Sequence, residues 1–181
     1  ADLALGLAGP LAAFASMIAL GLEPIGTATL LGWYRKIVDA TERSSLGLND
    51  PAASLAADTA MSSLTAAVAE ASERPDGALA QIAGLLSADE LGSNAAVFLF
   101  GGIETTEGMI ANLLLHLLLH PEVLARVNQD RGLIAAAIEE SLRLEPAVAR
   151  VDRFATTDVV LAGTSISRGD FVVVSLSGAN R

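Results

Sequence analysis

The chain has 181 residues, 18.5 kDa, enough for one ordinary domain. Apolar residues make up 52 % and charged residues 18 %, which excludes a disordered chain, and the 16 glycines carry no triplet period, which excludes a collagen-like one. A formal net charge of −10 repels phosphates and argues against a nucleic-acid partner, while the absence of cysteine removes disulfides, thiol nucleophiles and thiolate ligands from these residues.

Aromatics are only 4 %, so the core is expected to be Ala, Leu, Val and Ile, a composition suited to close-packed helices. The first candidate element, residues 3–22, carries no charge, and about 20 apolar residues can span a bilayer. It is rich in Ala and Gly, is interrupted by Pro10 and has no Lys or Arg before Arg35, so a buried soluble helix is expected and no membrane span. The start, Ala1-Asp2, lacks Met and the basic opening of a signal peptide. A helix is expected from Pro24 to about Glu42, with a loop from Ser44 to Asp50. Asn49-Asp50-Pro51 reads as a cap with proline in the first helical turn, opening a helix to about Glu73 that Arg74-Pro75-Asp76-Gly77 breaks.

Ser87 followed by Glu90 reads as a capping box, and an apolar run then reaches Leu119 without a proline. Some 30 residues make about 45 Å of helix, long enough to cross the middle of a domain. His120-Pro121 restarts the chain as a short helix. Asp130 to Glu145 makes another, with Ile134, Ile138 and Leu142 predicted as its buried stripe. After Pro146 the chain reads as short strands with tight turns: Val159–Leu161, Thr164–Ile166 and Phe171–Leu176. The fold class is therefore mainly α with a small β region, in a single domain over 1–181 with helices over 1–145 and strands in 146–181.

Four constellations could carry chemistry. Gly101-Gly102-Ile103-Glu104-Thr105-Thr106 lies in the middle of the long helix, where each glycine costs about 1 kcal/mol relative to alanine. The Thr105 hydroxyl can bond the carbonyl of Gly101 and bend the helix there. Either a flat ligand approaches the backbone, with an acid and a hydroxyl beside it for proton handling, or a helix crossing requires small residues. Glu140 and Arg143 are neighbours at i, i+3 and by spacing alone read as a surface ion pair. Arg153 can hold a carboxylate or be solvated. His116 and His120 have metal-ligand spacing, but acidic neighbours are nearly absent, so no metal site is expected.

In this order the motifs resemble those of a bacterial cytochrome P450. "FLFGGIETTEGMIANLLLHLLLHPEVLARV", Phe98 to Val127, is similar to the family's long central I helix and the helix after it. The small-Gly-x-acid-Thr signature falls on Gly101, Gly102, Glu104 and Thr105, with Gly101 in place of the more usual alanine. "AAIEESLRLEPAV" resembles the K helix, with the Glu-x-x-Arg motif on Glu140 and Arg143. The strands after it resemble the region where Arg153 matches an arginine that holds a haem propionate. Residues 85–181 carry the specific likeness. "LAGPLAAFASMIALGLEP", Leu7 to Pro24, is more weakly similar to the E helix and the loop after it, and 24–86 match only as two helices at the F and G positions.

The resemblance implies a partial P450-like fold built on the I helix, a haem cofactor contacted by Gly101, Gly102, Thr105 and Arg153, and Glu104 and Thr105 as catalytic proton-delivery residues. It turns Glu140–Arg143 into a buried structural pair with a third partner beyond residue 181. The implied reaction inserts one oxygen atom from O2 into a small apolar substrate, with electrons from a ferredoxin-type donor in the cytoplasm. The haem-ligating cysteine of the family is not in this chain, so these residues alone are expected to be inactive, as a piece of a longer enzyme. The alternative is a haem-free P450-like helper or structural protein.

Overall fold

The computed structural model describes residues 2–74 and 78–181. The expected break at Pro75-Asp76-Gly77 lies outside the described residues. The chain forms two compact units, one ending at Glu107 and the other comprising Gly108–Arg181.

In the first unit the chain opens with a π-helical turn, Ala4–Ala8, that runs into helix α1, Gly9–Leu20. Gly21, in the left-handed region at φ 70°, ends α1 as its C-cap. Ala8, Ala12, Ala13, Ser16, Met17 and Leu20 face inward, whereas Leu7, Leu11, Phe14 and Ile18 are about half exposed. The expected wholly buried helix is thus buried on one face only, because its small residues are the ones that let a neighbouring helix approach. Glu23–Ile25 is a 3-10 turn, and α2 begins at Thr27 rather than at Pro24 and runs to Ser45. Asp50 caps α3, Pro51–Ser72, accepting from Ala52 and Ala53 backbone N–H groups at 3.1 Å, with Pro51 in the first turn as expected. A short α4, Ala78–Ala83, precedes α5, Ala88–Leu119.

α5 starts at the expected capping box. The Ser87 N–H donates to Glu90 Oε2 at 2.8 Å, and the Glu90 N–H donates to Ser87 Oγ at 3.3 Å. The helix then continues without interruption for 32 residues. The core gathers Met17, Leu22, Leu30, Leu64, Leu99 and Ile103 from α1, α2, α3 and α5 and the turn after α1, with Trp33 and Tyr34 packed against it. Small residues set the helix crossings. A Cβ on Gly92 would lie 2.7 Å from Thr65 Oγ1 of α3, and one on Gly102 would lie 2.8 Å from Ser16 Oγ of α1.

The second unit contains the last turns of α5, then α6, Pro121–Gln129, with His120 at its N-cap position. A 3-10 turn, Arg131–Leu133, capped by Asp130, leads into α7, Ile134–Leu144. The predicted buried stripe of α7 is overturned: Ile134 and Ile138 are exposed and Leu142 is half-buried, like Leu133 and Ala137, while Ser141 is the buried residue of the helix. The Ser141 hydroxyl meets His116 there.

The expected strands form as β2, Val159–Leu161, β3, Thr164–Ile166, and β4, Phe171–Ser175. A further strand, β1, Arg150–Phe154, was not expected, and it supplies the partner that β4 needs. The two pair antiparallel from Arg150↔Ser175 to Phe154↔Phe171, where the two rings lie 5.3 Å apart. β2 and β3 form a hairpin closed by Ala162 and Gly163, both at positive φ as a two-residue hairpin turn requires. Leu176–Ala179 closes the chain as a one-turn helix, α8. Among the described residues no single helix is long and apolar enough to cross a membrane; α5 and α6 pass such a test only together and are bent by 105° where they meet.

Candidate functional site

The Gly-Gly-x-Glu-Thr segment falls in the middle of α5, and the structure gives its two glycines different roles. Gly102 faces α1, where the Ser16 hydroxyl occupies the space a side chain would need. Gly101 is exposed, and a Cβ built there meets nothing within 4 Å. Its φ is not positive, so neither packing nor backbone conformation calls for glycine at 101. The crossing and the open face proposed as alternatives for this segment both exist, one residue apart, because successive helical positions turn by about 100°.

The Thr105 hydroxyl donates to the Gly101 carbonyl, as its i+4 position predicts. α5 is continuously α-helical through 101–105. A carbonyl has two lone pairs and can accept from the hydroxyl while its helical hydrogen bond persists. Thr105 is half-buried and Glu104 exposed. Glu104 and Glu107 act on Tyr34 of α2, whose hydroxyl pKa is pushed up to about 12, first by burial and then by the negative fields of Glu104, Glu107 and Glu42. The Tyr34 ring also meets Phe100 edge-on at 5.5 Å and lines a small apolar cavity with Leu30, Trp33, Leu64 and Phe100. Tyr34 carried no sequence motif; its role comes from the packing of α2 on α5.

In the second unit Glu140 and Arg143 pair bidentately, with Nε and Nη2 of Arg143 each 2.7 Å from a carboxylate oxygen. This hydrogen bonding holds the Glu140 carboxyl below its ordinary pKa and raises that of Arg143. Their side chains are 55 % and 47 % exposed, so within these residues the pair is partly solvated, as expected where the third partner lies beyond residue 181. Arg143 Nη1 also donates to the carbonyl of Asn180 at 2.9 Å, at the end of α8. Arg153 sits in β1 opposite Val172, exposed, with Nη1 donating to the Asp152 carbonyl at 2.8 Å. Among the described residues its other guanidinium N–H groups make no protein hydrogen bond. His116 approaches Ser141 and Glu145, whereas His120 lies 3.5 Å from Glu122.

The cytochrome P450 family profile matches residues 54–181. The chain is 35 % identical over 152 residues to a C-19 steroid 1alpha-hydroxylase of Sorangium cellulosum, an alignment covering 78 % of this chain and 38 % of that protein. It is 44 % identical over 97 residues to cytochrome P450 FAS1 of Rhodococcoides fascians, covering 53 % of this chain and 24 % of that protein. Among solved structures, CalO2 superposes with a TM-score of 0.82 at 31 % identity, over 100 % of this chain and 47 % of that one. The chain belongs to the cytochrome P450 family, and its fold is a mainly helical portion of the P450 fold with small sheets. The aligned part is about a quarter of that Rhodococcoides fascians protein, and the chain spans just under half of the solved structure.

Proposed function

We propose that these residues form the oxygen-side helix and the Glu-x-x-Arg region of a haem-thiolate monooxygenase that inserts one oxygen atom from O2 into a small apolar substrate. The observation that carries this reading is the open face at Gly101. A glycine that costs helix stability, meets no neighbour and lies one turn from a threonine hydroxyl is accounted for by a flat ligand at the backbone. The residues fit haem in that respect: Gly101 keeps the helix surface low and Thr105 adds a hydroxyl one turn on. In the same reading Gly102 adjoins the cofactor through its backbone and Arg153 binds a propionate.

When bound, haem with its cysteine ligand supplies oxygen activation, the thiolate favouring O–O cleavage. In this reading Thr105 holds a hydroxyl proton at the open face, and the exposed Glu104 exchanges protons with solvent and recharges it. Gly102 fixes the height of α5 against Ser16. Glu140 and Arg143 are structural, and electrons come from a ferredoxin-type donor in the cytoplasm. We read residues 1–181 as belonging to a single P450-like domain. No cysteine occurs among these residues, so they do not carry the reaction by themselves.

Thr105→Val in the haem-loaded, full-length enzyme tests the mechanism. The substitution keeps the shape and removes the hydroxyl, so reducing equivalents should be diverted to peroxide while haem content stays unchanged. Unaltered coupling of electron use to product would overturn the role of Thr105. For the 181 residues alone, the carbon monoxide difference spectrum should lack the red-shifted Soret band of thiolate-ligated haem; its appearance would refute their dependence on an outside sulfur ligand.

A further inference from the structure

One face of the C-terminal half of α5 carries three side chains of unlike chemistry, all bonded to the same segment. Met109 Sδ accepts from the Ala147 N–H at 3.0 Å, and Asn112 Nδ2 donates to the Glu145 carbonyl at 2.8 Å. His116 Nδ1 lies 3.0 Å from Ser141 Oγ, and its Nε2 lies 3.4 Å from Glu145 Oε2. Steps of three and four residues put 109, 112 and 116 on one stripe. Asn112 satisfies a carbonyl left open at the end of α7. Only His116 contacts side chains at two points, and one of them, Ser141, sits inside the Glu-x-x-Arg motif.

We propose that His116 is a positioning residue that rivets α7, and with it the Glu140–Arg143 pair, to the C-terminal half of α5. Its importance for that pair rests on the P450 reading above; the tie itself does not. In this arrangement the ring proton is assigned to Nε2, which faces the accept-only Glu145 carboxylate at 3.4 Å, and Nδ1 is left to accept from the Ser141 hydroxyl. The Ser-His-acid order resembles that of a nucleophile with its base, but Ser141 is 2 % exposed and no substrate reaches it. Nδ1 lies within hydrogen-bond distance of Ser141 and Nε2 faces Glu145, so both ring nitrogens point toward the α7 end.

The direct test is the imidazole 15N spectrum of the wild-type protein, which has two histidines, assigned with His120→Asn. The expected result is an Nε2–H tautomer for His116 whose Nδ1 resonance moves in Ser141→Ala. An Nδ1–H tautomer, or a resonance indifferent to Ser141→Ala, overturns the proposal. A second test replaces the ring by one of similar size without hydrogen bonds. His116→Phe should speed amide exchange across 141–147 about fivefold, the factor for one net hydrogen bond, and His116→Gln should restore some of the protection. Equal exchange in wild type and His116→Phe overturns it. Neither test involves haem, so a failure of His116 to behave in this way leaves the P450 reading standing. A full-length protein that does not take up haem would refute that reading without touching the tie.

Discussion

Gly101 and Gly102 are adjacent and identical, yet opposite outcomes are expected when each is given a methyl group. Gly101→Ala meets open space and should raise stability by about 1 kcal/mol through helix propensity alone, measured by denaturant unfolding. Gly102→Ala drives into Ser16 Oγ, a buried hydroxyl that must turn away, and should lower stability. In a Ser16→Ala background the same Gly102→Ala change should become stabilising. The motif was legible in the sequence as a cost without a reason; the reason required knowing which element lies opposite each residue. Tyr34 shows the same limit. As the only tyrosine, its ionisation can be followed by tyrosinate absorbance, and the midpoint should lie near about 12. Its raised pKa means the neutral form is favoured in the fold. The associated stability is complete below the usual tyrosine range and is lost as pH rises toward that value. Tyr34→Phe should flatten this alkaline limb.

At the scale of elements, local chemistry in the sequence located most boundaries. The Asp50-Pro51 start of α3 and the Ser87–Glu90 start of α5 are both realised, because a cap is made by residues three apart and needs nothing distant. Ser87→Ala should lower the thermal midpoint by the equivalent of about 1 kcal/mol. The Glu90 carboxyl is held below its ordinary pKa, first by the Ser87 backbone N–H and then by its hydroxyl. A depressed carboxylate contributes stability above its unfolded value and loses it as pH falls through the folded one. The difference between wild type and Glu90→Gln should therefore shrink in acid. Where boundaries or faces were missed, the cause was non-local. Arg150–Phe154 was not placed as a strand because its pairing with β4 joins residues about 20 apart, and Ile134 and Ile138 are exposed while Ser141 is buried.

Across the whole molecule, apolar composition does not translate into uniform burial. Leu11, Phe14 and Ile18 of α1 are 48, 47 and 49 % exposed and lie on one helical stripe. Contiguous exposed apolar surface of this kind binds hydrophobic dyes and promotes association. For the 181 residues in isolation, strong dye fluorescence and concentration-dependent sedimentation are expected, and Leu11→Ser with Phe14→Ser should reduce both without loss of helical circular dichroism. Indifference of dye binding to this pair of changes would show that the stripe is covered.

The sequence alone determined the helical class, the cap positions, the β2–β3 hairpin and, through four motifs in order, the family. Each of these depends on residues close along the chain or on the order in which short motifs follow one another. The tertiary structure alone decided which glycine faces a neighbour, that Arg143 reaches Asn180, that His116 meets α7, and that β1 exists. Those are contacts between residues far apart along the chain, and no local spacing encodes which distant backbone or hydroxyl will arrive there.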